Sequence, residues 1–241
     1  MLKKREFRFL FVLTVIIAIV FSGCGDPGDG DNLDSIFLGP GPADADGIVY
    51  YVGDEGPGGG IIFYVHEDPE GFTVQGYGDD PDDEGYFPEY TAYYLEAAPS
   101  NWGSRVIWGA RGTLIDNITT WNNATAKNAG LQDSIGSGRK DTQIIVAFFR
   151  DNSPHEDWVE IAAQVATGSF GGKNDWFLPS LGELNLLYIN RAYVGNLGAL
   201  FYWSSTQYSN EHAWFQQFNS AFSHNGNGKN LVLNVRAIRA F

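Results

Sequence analysis

The chain has 241 residues, 15 Lys and Arg against 29 Asp and Glu, a net charge of −14 and a single cysteine. A surface this acidic repels phosphate and sulfate backbones, which excludes nucleic acid and disfavours sulfated polysaccharides as partners. One cysteine allows no internal disulfide, so stability must come from packing; the 36 aromatic residues (7 Trp, 12 Tyr, 17 Phe) each bury on the order of 150–250 Å².

The N-terminus reads as an export signal. Lys3, Lys4, Arg5 and Arg8 precede an apolar run from Phe9 to Phe21, and Phe21-Ser22-Gly23-Cys24 follows the pattern of a lipoprotein cleavage site. That run has about 13 residues, short of the roughly 20 that span a bilayer. Cys24 is therefore expected to become the acylated first residue of the mature protein, with several acyl chains giving stable membrane attachment. Removing residues 1–23, which carry a net +3, takes the chain from −14 to near −17. The expected address is exported and lipid-anchored at the cell envelope, on the outer membrane or cell surface. Contact with the membrane is through the anchor only.

Residues 24–46 are rich in Gly, Pro and Asp and read as a flexible acidic tether; residues 47–241 read as one folded domain. Two β-rich runs, Gly47–Val52 and Ile61–Val65, flank a Gly/Pro turn and predict a hairpin. The stretch Gly76–Tyr86 gathers Asp79, Asp80, Asp82, Asp83 and Glu84, hard oxygen ligands that make it a calcium candidate or, alternatively, a solvated acidic loop. No other cofactor is implied. Tyr93–Trp102 predicts a short strand entering a turn.

Helix signals follow. Asp141 is a candidate N-cap for Ile144–Arg150, and Ser153-Pro154-His155-Glu156 opens a predicted helix running to Ala166. Ser180-Leu181-Gly182-Glu183 has capping-box spacing before Leu184–Ile189. Phe201–Thr206, His212–Phe218 and Leu231–Phe241 read as strands. Within His212–Phe218, alternation sends Trp214, Gln216 and Phe218 to one face. Trp176, Trp203 and Trp214 are expected in the core. One of Arg236 and Arg239 is expected to pair with a buried carboxylate such as Glu183. Helices between flanking strands argue an α+β fold.

Four segments, VGDEGPGGGIIFYV (52–65), YYLEAAPSNW (93–102), NDWFLPSLGELNLLY (174–188) and YWSSTQYSNEHAWFQQF (202–218), with the terminal VRAIRAF (235–241), resemble the C-terminal domain family of the Legionella collagen-like adhesin. The resemblance covers roughly residues 47–241. It implies a C-type-lectin-like fold akin to formylglycine-generating-enzyme domains: antiparallel strands, two or three helices, long loops, and paired N- and C-terminal strands, with Ile48–Val52 beside Val232–Ala240. It also implies a ligand surface on the C-terminal loops. There Tyr208, Asn210, His212, Gln216, Asn219, His224, Asn225 and Asn227 supply the polar and aromatic mixture favoured in recognition. Ser223–Asn230 reads alternatively as a solvated turn.

Catalytic signatures are absent from the sequence. The domain lacks the cysteines of formylglycine-generating enzymes, its histidines (66, 155, 212, 224) are scattered, and no GxSxG, HExxH or P-loop occurs. The leading expectation is a lectin-like or adhesin-like binding module for a glycan or protein ligand of host or neighbouring-cell origin. Arg139, Lys140 and Lys229 are candidates for a local basic patch. Alternatives are a structural or assembly partner of another envelope protein and, further off, a polysaccharide hydrolase with paired carboxylates.

Overall fold

The computed structural model describes residues 39–44, 46–109, 111–121, 134–152, 161–198, 200–219 and 223–241, the side chains of 223–225 excepted. Contacts divide the chain into Met1–Gly30 and Asp31–Phe241, and all described residues belong to the second unit. Cys24 and residues 153–160, with the predicted Ser153 cap, lie outside the described residues. Among the described residues, no helix is long and apolar enough to cross a membrane.

The domain is α+β. Strands β1 (Ile61–Val65), β2 (Phe72–Val74), β3 (Tyr90–Ala92), β4 (Tyr94–Ala97) and β5 (Gly103–Ile107) precede helices α1 (Gly138–Asn152), α2 (Ala162–Ala166), α3 (Leu181–Ile189) and α4 (Arg191–Val194). Strands β6 (Phe201–Gln207), β7 (His212–Gln217), β8 (Ser223–Gly228), β9 (Val232–Val235) and β10 (Ile238–Ala240) complete it. They form a sheet in the order β1-β4-β10, a β2-β3 pair, and a five-stranded sheet in the order β5-β9-β6-β7-β8. Strand pairs are antiparallel except β6 with β9, which meet in parallel at Tyr202 and Asn234.

The terminal strands are not paired as expected. Residues 48–52 form no strand, and β4 stands between β1 and β10. The two ends meet through side chains instead: Tyr50 packs edge-on against Phe241 at 5.7 Å and against Tyr94 at 5.4 Å. The last residues read as tether are also fastened to the domain, since Tyr94 Oη donates to the Pro42 carbonyl (2.6 Å) and Tyr50 Oη donates to Asp44 (3.0 Å).

The Gly/Pro turn between residues 53 and 60 folds around one carboxylate. Glu96, fully buried on β4, accepts the N–H groups of Gly58 (3.1 Å to both oxygens) and Gly60 (2.6 Å). Side chains would not fit: a Cβ on Gly60 would lie 2.2 Å from the Ala97 carbonyl oxygen, and one on Gly56 2.5 Å from Glu96 Cδ. Arg239 on β10 completes the anchor, donating to Glu96 (3.0 Å) and in bidentate fashion to Asp175 (2.9 and 3.0 Å). Burial alone would raise the Asp175 pKa, but hydrogen bonds and charge from Arg239 outweigh it and hold the carboxyl below its ordinary range. The expected arginine–carboxylate pair thus exists, with Glu96 and Asp175 in place of Glu183. Arg236 is buried against neutral oxygens of Asn101, Ala98 and Asn196 at 2.6–3.0 Å.

Glu183 is occupied locally. The capping box forms as its spacing predicts: Ser180 Oγ accepts from the Glu183 N–H, and the Glu183 carboxylate accepts from the Ser180 N–H (2.7 Å) and the Gly136 N–H (2.9 Å). Helix α3 is buried over Leu181–Tyr188, so it runs through the interior rather than along a surface. Asp141 is not a cap, because α1 begins at Gly138 and Asp141 lies buried in its first turn. Trp176, Trp203 and Trp214 are buried as expected, and each indole N–H finds a backbone carbonyl, of Phe170, Val106 and Trp121 respectively. Ser223–Gly228, open to a turn reading, is an edge strand paired along β7.

Candidate functional site

A cleft of about 710 Å³ opens where three distant segments converge. Gly76, Tyr77, Gly78 and Asp79 form one wall, Ile115, Asp116 and Asn117 a second, and α1 the third through Lys140, Ile144, Ala147, Phe148, Asp151 and Asn152. The α1 residues recur at three- and four-residue intervals and so share one helix face. The volume lies within the range of small-molecule sites.

Each wall is held by specific contacts. Tyr77 and Phe87 exchange backbone hydrogen bonds at 2.9 and 3.1 Å, and Gln75 N–H reaches the Gly136 carbonyl at 3.0 Å. Arg150 on α1 bridges Glu84 (2.7 Å) and Asp151 (2.9 Å), tying the acidic loop to the end of the helix. The second wall hangs from buried polar groups. Gln207, at the end of β6, accepts from the Ile115 N–H (3.1 Å) and donates to the Ile115 carbonyl (3.0 Å). Lys229 donates to Gln207 Oε1 (2.6 Å) and the Thr113 carbonyl (2.5 Å) beneath the Trp108 ring, and burial pulls its pKa down to about 8. Asp141 accepts the Thr119 N–H (2.9 Å) from the same segment, with Ser137 and Ser205 hydroxyls on its other oxygen. Asn117 takes a left-handed backbone, φ 64°, a conformation Asn tolerates better than most residues.

Chemically the cleft pairs aromatic surface with hydrogen-bonding groups. Tyr77 and Phe148 are half-buried, while Asp79, Asp116, Asn117, Asp151 and Asn152 are exposed. Lys140 Nζ reaches Gln75 Oε1 at 3.3 Å. Outside the cleft lining, Asp141 and Glu183 are buried carboxylates that form no ion pair among the described residues. Burial pushes Asp141 up to about 6 and Glu183 up to about 7, against the hydrogen bonds each accepts.

The predicted ligand residues divide. Tyr208, Asn210, His212 and Asn227 gather at the β6–β7 turn: Tyr208 packs edge-on to Trp214 (5.3 Å) and His212 (6.1 Å), and Ser209 Oγ lies 3.3 Å from His212 Nδ1. Asn210 is exposed there, and Asn227 Oδ1 accepts the Gly228 N–H at 3.0 Å. Asn219 lies beyond the far end of β7, its carbonyl accepting from Tyr188 Oη. His224 and Asn225 sit on β8 opposite Gln216 and Phe215, their side chains outside the described residues. Gln216 does not belong to a surface: it is fully buried on the β7 face shared with Trp214 and Phe218.

The acidic loop does not converge on a point. Asp80 Oδ1 accepts the Asp82 N–H (3.0 Å), Asp83 accepts the Asp80 N–H (3.3 Å), Glu84 faces Arg150, and Asp79 alone of the five lines the cleft. Among the described residues, no three His, Cys, Asp or Glu come together to hold a metal. The expected basic patch is dispersed as well. Lys229 is interior, and Arg139 stacks over Phe87 at 4.0 Å and donates to Tyr90.

Sequence reading missed Tyr77, Asp116, Asn117, Phe148, Asp151 and Asn152. The one signal available was the spacing of Lys140, Ile144, Phe148 and Asp151 along a helix, which shows a shared face but not what lies opposite.

No family model matches the chain, and neither does any curated protein. The resemblance to the adhesin domain family therefore rests on the quoted segments alone. Among solved structures, the chain is similar to a fimbrial protein from Bacteroides ovatus, at 16% identity and a TM-score of 0.46. The match covers 86% of this chain and 49% of that one, so the chain spans about half the length of the fimbrial protein.

Proposed function

We propose that the chain is a lipid-anchored protein of the cell envelope whose C-type-lectin-like domain binds a polyhydroxylated ligand, a glycan, in the cleft between the acidic loop, residues 115–117 and α1. The observation that carries this reading is the cleft's lining. Tyr77 and Phe148 offer apolar ring surface, and Asp79, Asp116, Asn117 and Asn152 offer acceptors and amide donors in the same space. A sugar ring presents the matching surfaces, an apolar C–H face and a rim of hydroxyls. The lining is mainly polar, with the two aromatic rings set among its hydrogen-bonding groups. The turn bearing Tyr208, Asn210 and His212 connects to the same wall, since the Gly112 N–H donates to the Asn210 carbonyl (3.1 Å) and residues 112–117 lead into the cleft.

The reading is one of recognition without turnover, with calcium as the one ion its test addresses. Its test is a glycan and matrix-protein array probed with the unacylated chain from residue 25 onward, in calcium and in chelator. Specific glycan binding lost in Asp79→Ala, Asp116→Ala or Asn152→Ala variants supports it, and loss in chelator assigns a role to calcium. A blank array in both conditions refutes ligand recognition and favours an assembly role with another envelope protein.

A further inference from the structure

Helix α3 and strand β7 run side by side, and their contacts fix the alignment. Leu181 shares a cluster with Trp214, and Tyr188 packs edge-on to Phe218 at 5.4 Å. Between these contacts, Asn185 lies about 6 Å along the helix from Leu181, at 1.5 Å per residue. Gln216 lies about 6.6 Å along the strand from Trp214, at 3.3 Å per residue. The two amides therefore stand level with each other. Both are buried, Gln216 at 0% exposure and Asn185 at 2%. Neither atom of the Gln216 amide has a hydrogen-bond partner, and Asn185 Oδ1 has none either.

Orphaned amide atoms in a closed interior cost free energy, and native proteins resolve almost all of them with protein partners or ordered water. The groups here are one donor, Gln216 Nε2, and two acceptors, Gln216 Oε1 and Asn185 Oδ1. Water can accept from the first and donate to the other two, and the two to four bonds of a typical buried water cover this set. We infer that Asn185 and Gln216 form an internal hydration site between α3 and β7, occupied by one or two water molecules. Its consequence is positional. Because α3 is buried over Leu181–Tyr188, amphipathicity does not choose its rotation, whereas a water shared by two amides accepts only the rotation that turns Asn185 toward β7.

The test uses NMR on the unacylated chain from residue 25 onward. The Gln216 side-chain amide protons should show cross-relaxation to a long-lived water, and a crystal structure should place ordered water within hydrogen-bond distance of both residues. A direct hydrogen bond between Gln216 Nε2 and Asn185 Oδ1 with no water at either, or a dry gap, would overturn the site. A second measurement compares Asn185→Leu, Gln216→Leu and the double variant. Each single change strands its former partner and should lower the folding equilibrium constant about tenfold. The double change removes both polar groups and should recover most of that loss. Losses that simply multiply would contradict a shared water.

Discussion

Around Glu96 each charged oxygen has an internal partner: Gly58, Gly60 and Arg239 on Glu96, and both oxygens of Asp175 on the same guanidinium. In the cleft, Asp79 and Asp116 are exposed and accept nothing from the described residues. The two regions use the same carboxylate chemistry with opposite outcomes. Burial forces the first set to be satisfied within the fold, and the glycines and Arg239 accomplish that. Exposure leaves the second set to solvent or to a ligand. Buried carboxylates of the fold should therefore respond to mutation through stability, and cleft carboxylates through binding.

The largest effect is expected at the anchor. Arg239→Leu leaves Glu96 and Asp175 without their cation, and chemical denaturation should show a loss of about 3–5 kcal/mol, as for other broken buried pairs. A loss under about 1 kcal/mol would erase the contrast with the cleft.

Asp141 and Glu183 sharpen it, being buried without a cation. Their folded pKa values stand above the unfolded ones, so the stability they contribute is fully present below about pH 4 and lost as pH rises through about 6 and 7. Stability should fall by on the order of 2–4 kcal/mol between pH 5 and 7.5. Asp175 works in the opposite sense below pH 4, where its depressed pKa makes acid destabilising. Lys229, depressed to about 8, adds stability as pH rises beyond that value. Denaturation midpoints from pH 3 to 9 should trace a maximum near pH 4 and decline through pH 7; a flat profile from pH 4 to 7 would contradict the assignment of unpaired burial.

Smaller effects belong to the turn and the cap. Gly60→Ala drives a methyl toward the Ala97 carbonyl and should cost about 1–3 kcal/mol in unfolding experiments. Ser180→Ala removes the acceptor of the capping box and should cost about 1 kcal/mol. Asp79→Ala and Asp116→Ala, by contrast, should change stability by no more than about 0.5 kcal/mol.

What the sequence revealed followed from how local its causes were. Ser180 and Glu183 are three residues apart, and their capping box was legible. The alternation along His212–Phe218 already set Gln216 beside Trp214 and Phe218, two interior side chains, so the placement of Gln216 on a ligand surface conflicted with the strand's own pattern. Ser223–Gly228 has the Ser, His, Asn and Gly composition of a turn, and pairing along β7 overrides that local preference. The Glu96 anchor joins residues 58, 96, 175 and 239, and the cleft joins residues 76–79, 115–117 and 140–152. No periodicity within one segment reports such meetings. The Gly/Pro turn was visible, but the carboxylate it wraps was not.

The most direct measurement titrates a glycan identified on the array against wild-type protein, Asp116→Ala and Tyr208→Ala. A cleft site predicts that Asp116→Ala weakens binding about tenfold, a loss of roughly 1.4 kcal/mol, while Tyr208→Ala leaves it within about twofold. The reverse pattern, with Tyr208→Ala abolishing binding and Asp116→Ala unchanged, would contradict the account and move the site to the β6–β7 turn.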